Sequence, residues 1–247
     1  MKKNSIALIT GGGTGIGFAI AKQLHSMKYT VVITGRRKNK LIEAKKKLRT
    51  RCHIFENDIS DKSSISDLVN NIEKNIGNIE ILINNAGTHL RKKALDTTDN
   101  EWSNVIDTNL NSVFSLSREC AKKMIKRKKG NIVMIGSVTS VMGLPDVSAY
   151  STSKTALTGL TRILAIELGK FSINVNCICP GFIKTAIFAR VKKKDPKRFD
   201  KILSRTPLNR FGDVKDISSV VGFLCSPESK FITGSIIPVD GGFHSSF

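Results

Sequence analysis

The stretch Ser5-Ile6-Ala7-Leu8-Ile9-Thr10-Gly11-Gly12-Gly13-Thr14-Gly15-Ile16-Gly17 decides how the rest of the chain is read. Its apolar run at 6–9 suits a buried strand, and a segment of helical period follows at 15–27. Between them lies a glycine cluster. Glycines there permit a tight turn, close approach of backbone to a pyrophosphate, and close packing of helix on strand. The helix start adds unpaired N–H groups and a partial positive charge, which suit phosphate. Gly11, Gly13, Thr14, Gly15, Ile16 and Gly17 are therefore expected to line a dinucleotide site. The plainer account of the same residues is a structural turn.

Further short apolar runs continue the pattern at 31–33, 52–55, 79–83, 132–135, 173–178 and 236–239. Segments of helical period separate them, at 38–48, 64–76, 98–128, 150–168 and 213–225. Several runs are almost wholly apolar, as in strands covered on both faces. The alternation predicts an α/β fold: a parallel sheet with right-handed crossovers and helices on both faces. No linker interrupts it, so residues 1–247 read as a single domain. Only 184–208 departs from the rhythm. It is basic, carries Pro196 and Pro207, follows a late strand, and is long enough to cover a cleft.

A chain of 247 residues buries a large core. Apolar residues at 40% and charged residues at 24% exclude a mostly disordered chain. No run reaches the ~18 apolar residues of a membrane span, and the one at 6–9 is too short for a signal peptide. Cys52, Cys120, Cys177, Cys179 and Cys225 are odd in number and lack matched CxxC spacing. They read as small buried hydrophobes of a reducing, cytoplasmic compartment. His25, His53, His89 and His244 form no metal-spaced pair, so no metal is expected. The net charge is +20, spread over 36–40, 45–47, 91–93, 122–129 and 192–198. With aromatics at only 6%, stacking platforms for bases are scarce, and a solvated basic surface is favoured over a nucleic-acid site.

The end of the second strand separates two coenzymes. An acidic residue there accepts hydrogen bonds from a ribose 2′-OH and marks NAD. Thr34-Gly35-Arg36-Arg37 has no carboxylate and two guanidiniums, which match a 2′-phosphate. NADP(H), held by Arg36 and Arg37, is the expected cofactor; the competing account assigns both to the general basic surface. Asp58 with Ile59, and Asn84-Asn85-Ala86-Gly87, fall at the carboxyl ends of the third and fourth strands, where an open parallel sheet binds ligands. Each is also ordinary turn chemistry.

Tyr150 and Lys154 sit four residues apart at the start of a helix, on one face. A cation beside a phenol favours phenolate and suits proton exchange during carbonyl chemistry. Taken alone the spacing is a common surface pair. Ser137 strengthens it: past the strand at 132–135, its hydroxyl suits an oxygen on which charge builds. It is not in a G-x-S-x-G elbow, which argues against a serine nucleophile. Asn109 falls on the apolar stripe of the long helix at 98–128. Either it bonds a neighbouring backbone group, or it bends the helix and holds a water leading to Lys154.

Together these residues resemble the short-chain dehydrogenase/reductase family. The match comprises 10–17, 84–87, Asn109, Ser137, Tyr150 with Lys154, Pro180-Gly181 with Thr185, and Asp240-Gly241-Gly242, and it spans essentially the whole chain. The resemblance implies a doubly wound, seven-stranded Rossmann sheet, and usually a homotetramer. It implies that Tyr150 is the general acid/base, that Ser137 orients the carbonyl, and that Lys154 binds the nicotinamide ribose and lowers the pKa of Tyr150. Asn109 would anchor a relay water. Pro180, Gly181, the backbone of Ile183 and the hydroxyl of Thr185 would complete the cofactor site. Within the family the chain is most similar to 3-oxoacyl-[acyl-carrier-protein] reductases and gluconate 5-dehydrogenases. A ketone is the implied substrate. Lys128 and Lys129 stand where carrier-protein reductases carry a docking arginine, so an acidic acyl carrier protein is an expected partner.

Overall fold

The computed structural model describes residues 5–185, Phe188 and 195–246. All seven strands among them join one sheet of order β3-β2-β1-β4-β5-β6-β7, parallel throughout. The strands are β1 (Ser5–Thr10), β2 (Thr30–Gly35), β3 (Cys52–Glu56), β4 (Asn78–Asn84), β5 (Gly130–Ile135), β6 (Ile173–Pro180) and β7 (Ile236–Val239). The chain winds outward from β1 to β3, then returns to place β4 on the other side of β1. The carboxyl ends of β1 and β4 therefore flank the point where strand order reverses, the place such a sheet offers to a ligand.

Two apolar layers hold the sheet. Side chains on successive strand residues point to opposite faces. Thus Ile6 and Leu8 of β1 enter one core cluster, with Leu82, Ile132 and Met134, while Ala7 and Ile9 enter the other, with Ile33, Ile83 and Ile135. The first layer is closed by α3 (Ile65–Asn75), α5 (Ser112–Arg127) and α6 (Ser148–Gly169), the second by α1 (Gly15–Ser26), α2 (Lys38–Leu48) and α8 (Val214–Leu224). Both sheet faces are buried, which is why these runs are continuous rather than alternating. The five cysteines are free and buried. No helix of the described residues is long and apolar enough to cross a membrane.

The helix expected over 98–128 is one rod with a defect. Thr98 starts α4 (Asp99–Ile106) with a capping box to Glu101. A π-turn, Asp107–Asn111, then passes into α5 without leaving helical backbone angles. The segment 184–208 holds α7 (Pro196–Ser204) in its described part; 186–187 and 189–194 lie outside the described residues. A third, aromatic cluster seats α7. Phe199 and Ile202 pack with Val138, Phe211 and Phe243, and the Phe188 ring stands edge-on 4.7 Å from both Phe199 and Phe211.

One ion pair ties the helices of the first layer to the sheet. Arg127 grips Glu73 through two bonds of 2.8 and 2.9 Å and also donates to the Ile79 carbonyl at 3.0 Å. Glu73 in turn accepts from the Ile79 amide at 2.8 Å. Removing one member of a half-buried pair strands the other. Glu73→Ala is expected to cost roughly 3 kcal/mol, read as a lowered urea midpoint with an unchanged slope.

Candidate functional site

Local chemistry explains why each functional group sits where it does. β1 ends at Thr10, whose hydroxyl donates to the Ile83 carbonyl at 3.3 Å and accepts the amides of Asn85 and Ala86 at 3.0 and 2.9 Å. Asn85 returns the contact, donating from its amide to the carbonyls of Thr10 and Gly11 at 2.9 and 3.3 Å. The ends of β1 and β4 are thereby laced together. Gly11 takes a φ of +65°, and a Cβ on Gly17 would stand 2.4 Å from the Gly11 carbonyl oxygen. Only glycine fits both places. α1 starts between them, at Gly15, with no side-chain cap and no acidic residue in its first turn. Its first amides are left for an anion.

Around this turn the expected cofactor residues gather. Arg37 reaches Thr14, Nη2 to Oγ1 at 3.4 Å. Arg36 is exposed, 3.8 Å from Asp58, and with Ser60, Thr88 and Thr108 borders a cleft of about 340 Å³. Asp58 builds its own turn by accepting from the Ser60 amide and hydroxyl. Ile59 is buried in the first core layer. Across the opening, Pro180 ends β6, the Gly181 amide donates to Val239 at 3.0 Å, and Ile183 is held in a bridge to Gly212. The Thr185 methyl lies 3.8 Å from where a Cβ on Gly15 would be, with nothing else that near. The uncapped helix start, the side-chain-free turn and the two guanidiniums fit a phosphorylated dinucleotide.

The reacting groups stand at the carboxyl end of β5. The Ser137 hydroxyl accepts the Thr139 amide at 3.2 Å and lies close enough to the Tyr150 phenol to pull its pKa down. Ser140 ties the turn to α6, accepting from the Ser137 amide and donating to the Lys154 carbonyl at 2.8 Å. Lys154 is buried, and its ammonium donates to the Ile135 carbonyl at 2.7 Å. Burial pulls that amine down to about 8. Burial pushes the Tyr150 phenol up, and the bond to Ser137 opposes the rise. Lys154 is not among the groups that move the phenol; in this arrangement its proton is directed at a backbone oxygen.

Asn109 lies in the π-turn, wholly buried. It satisfies both halves of its amide on Thr88, accepting the Thr88 amide at 2.8 Å and donating to the Thr88 carbonyl at 2.9 Å. Its second N–H donates to the Ser153 hydroxyl at 3.1 Å. Asn109 thus bonds backbone, as the first reading has it, and the helix is locally deformed where it does so. A Cβ on Gly87 would lie 3.1 Å from the Asn109 oxygen and 3.5 Å from the Lys154 nitrogen, so the three meet at one point. His89 was unassigned from sequence, yet its ring lies 4.6 Å from that of Tyr150. Nothing in its spacing marks it. A larger cleft, about 770 Å³, is bounded by Phe182, Ile183, Leu208, Arg210 and Asp240, and not by Ser137, Tyr150 or Lys154.

Comparison with known proteins fits this geometry. The family model described as enoyl-(acyl carrier protein) reductase matches residues 11–244. The chain belongs to the short-chain dehydrogenase/reductase family, and it is a nicotinamide-dependent oxidoreductase of that family. It is 36% identical over 242 residues to the 3-oxoacyl-[acyl-carrier-protein] reductase FabG of Buchnera aphidicola, covering 97% of each chain. It is 38% identical over 246 residues to the 2-dehydro-3-deoxy-D-gluconate 5-dehydrogenase of Bacillus subtilis, covering 98% of this chain and 96% of that one. Among solved structures it superimposes on a gluconate 5-dehydrogenase from Burkholderia cenocepacia in complex with NADP and tartrate. The TM-score is 0.93 and the identity 29%, over 98% of this chain and 96% of that chain.

The buried lysine makes stability depend on pH in a defined sense. Between pH about 8 and 10.5 the unfolded chain keeps a proton that folded Lys154 has lost. Stability from this group therefore rises with pH across that window, by about 3 kcal/mol. The raised thiols of Cys52, Cys120 and Cys177 and the raised Tyr150 phenol titrate with the opposite sign in this range. The rise is therefore read as the difference in unfolding free energy between wild type and Lys154→Met, which should shift in favour of the wild type by about 3 kcal/mol from pH about 8 to 10.5.

Proposed function

We propose that the protein interconverts a ketone and a secondary alcohol with NADP(H). The observation that carries this reading is the gathering of Ser137, Tyr150 and buried Lys154 at the carboxyl end of β5, with Lys154 tied to the Ile135 carbonyl, together with a helix start open to phosphate. Gly11 to Gly17 and the first amides of α1 would hold the pyrophosphate, Arg36 and Arg37 the 2′-phosphate, Asp58 and Ile59 the adenine side. Asn85, Ala86, Gly87, Pro180, Gly181, Ile183 and Thr185 would hold the nicotinamide half, with Tyr150 and Lys154 at its ribose. The preference for NADP(H) is supported by Arg36-Arg37 and by the NADP named for the solved relative.

Bound reduced nicotinamide supplies a hydride to the carbonyl carbon. Everything else is supplied by the chain. Tyr150, held protonated by burial, gives its proton to the carbonyl oxygen as negative charge gathers there. Ser137 donates a hydrogen bond to the same oxygen. Hydride and proton together make the alcohol, and the cofactor leaves oxidised. Lys154, its ammonium held at the Ile135 carbonyl, would bind the nicotinamide ribose. Asn109, fixed on Thr88, is the step toward solvent from which that proton is replaced.

The finer substrate reading is a 3-oxoacyl thioester on an acyl carrier protein, supported by the name of the 36% identical relative. Lys128 stands in a left-handed cap at the end of α5, and Lys129 pairs with Glu80 at 3.0 Å. A second reading, a sugar-acid ketone, is supported by the 38% identical relative. A homotetramer is expected for either.

Tyr150→Phe should lower kcat about a hundred- to ten-thousand-fold while NADPH binding, followed by its fluorescence, stays within about threefold. Near-normal turnover would remove Tyr150 from the chemistry. The ratio of kcat/KM for NADPH over NADH should exceed about a hundred, and Arg36→Ser with Arg37→Ser should bring it toward unity, since each charge-assisted bond contributes about 1.5–3 kcal/mol. A wild-type ratio at or below one would end the NADP assignment.

A further inference from the structure

One buried amide reaches Tyr150 from two sides. Asn109, wholly buried in the π-turn, divides its bonds between two partners. The first is the loop after β4, where it accepts the Thr88 amide at 2.8 Å and donates to the Thr88 carbonyl at 2.9 Å. The second is α6, where it donates to the Ser153 hydroxyl at 3.1 Å. Ser153 is itself wholly buried, and its hydroxyl donates onward to the Tyr150 carbonyl at 2.7 Å. A helical serine often bonds back to a carbonyl three or four residues earlier. Here the same hydroxyl also accepts from another helix, so it ties the first turn of α6 to the π-turn.

The other route ends on the phenol ring. Thr88 is followed by His89, whose imidazole leans on the Tyr150 ring at 4.6 Å, inclined by 51°. Among the described residues it is the one aromatic ring against Tyr150. His89 is exposed, and among the described residues its ring nitrogens bond no protein group. Its place therefore follows from the backbone that carries it, which Asn109 holds at Thr88. Proton transfer to a carbonyl oxygen needs the phenol within hydrogen-bond reach. A misplacement of about 1 Å can cost about a hundredfold in rate.

We propose that Ser153 and His89 are positioning residues for Tyr150, both governed by Asn109: Ser153 fixes the backbone from which the phenol springs, and His89 fixes the plane of its ring. This rests on the ketone-reductase reading above and adds two residues to its proton-transfer step.

Two measurements test it, and only the second needs turnover. The chain has two tyrosines, Tyr29 and Tyr150. Tyrosine labelled with carbon-13 at the hydroxyl-bearing carbon therefore gives two resonances, and Tyr29→Phe assigns them. In the full-length protein the Tyr150 resonance should move, and its titration midpoint should fall by about half a pH unit or more, in His89→Ala and in Ser153→Ala, as the phenol turns toward water. His89→Phe, which keeps a ring, should leave both as in wild type.

The second measurement follows NADPH oxidation with ethyl acetoacetate as the ketone. In each alanine variant kcat should fall about tenfold or more, with KM and NADPH affinity within about threefold of wild type. His89→Phe should recover kcat to within about threefold. Adding Ser153→Ala to Asn109→Ala should cost less than about twofold more, since the serine acts through the amide. The urea midpoint controls for folding. Where Ser153→Ala unfolds, Ser153→Cys, which keeps the volume and weakens the bond, takes its place. An unchanged kcat in either alanine variant overturns the proposal, as does a Tyr150 resonance blind to either substitution, or full additivity with Asn109→Ala. If the resonance responds to both substitutions while wild type reduces neither this ester nor any other ketone, the positioning stands and the ketone-reductase reading falls.

Discussion

An ammonium that is 5% exposed needs an oxygen close at hand, and Lys154 has the Ile135 carbonyl at 2.7 Å. Burying a cation without such a partner is prohibitive. The rest of the site is arranged around that need. The chain after β5 must leave the Ile135 oxygen open, and it does so through Gly136, where a Cβ would stand 3.0 Å from the Cys177 sulfur and the Ser140 hydroxyl. The same turn throws Ser137 upward, and Ser140 clips it to the Lys154 carbonyl. Gly87 and Asn109 close the other side. A strand end, a helix, a loop and a π-turn thus converge on one charge, and the catalytic hydroxyls inherit their positions from it.

The relation between the lysine and the tyrosine is different from the one that their spacing and the resemblance imply. A cation four residues along the helix is expected to draw the phenol down. Burial dominates and the phenol is raised, while one of the three ammonium N–H groups is given to a backbone oxygen. Spacing places two side chains on one face but does not say which acceptor wins. A carbonyl fixed at the end of a strand is a stronger competitor than a neutral phenol. The consequence is chemical. A raised phenol holds its proton at neutral pH, which is the form that protonates an alkoxide, while an amine brought to about 8 remains mostly charged there.

The architecture was largely legible because both sheet faces are buried. Continuous apolar runs such as 79–83 and 132–135 are a direct trace of that, and their alternation with helical segments dictates parallel pairing. The glycine turn was legible because its sterics admit no side chain at Gly17. Asn109 was half legible: an amide on an apolar stripe signals a special place, but the π-turn depends on the Thr88 backbone, distant in sequence, being there to receive it. His89 was not legible as a neighbour of Tyr150, because the meeting of the two rings is a product of tertiary packing.

Charge and apolar packing do separate work at the mouth of the site. α7 bears Arg198 but is seated by its other residues: Phe199 and Ile202 enter the aromatic cluster with Val138, the residue next to Ser137. Phe243 joins that cluster, and the Arg205 guanidinium lies 5.1 Å over its ring. Dispersion and burial thereby help to fix the backbone of α7 relative to Ser137. Arg127, by contrast, is held by its own bonds: its two terminal guanidinium nitrogens are committed to Glu73 and Ile79.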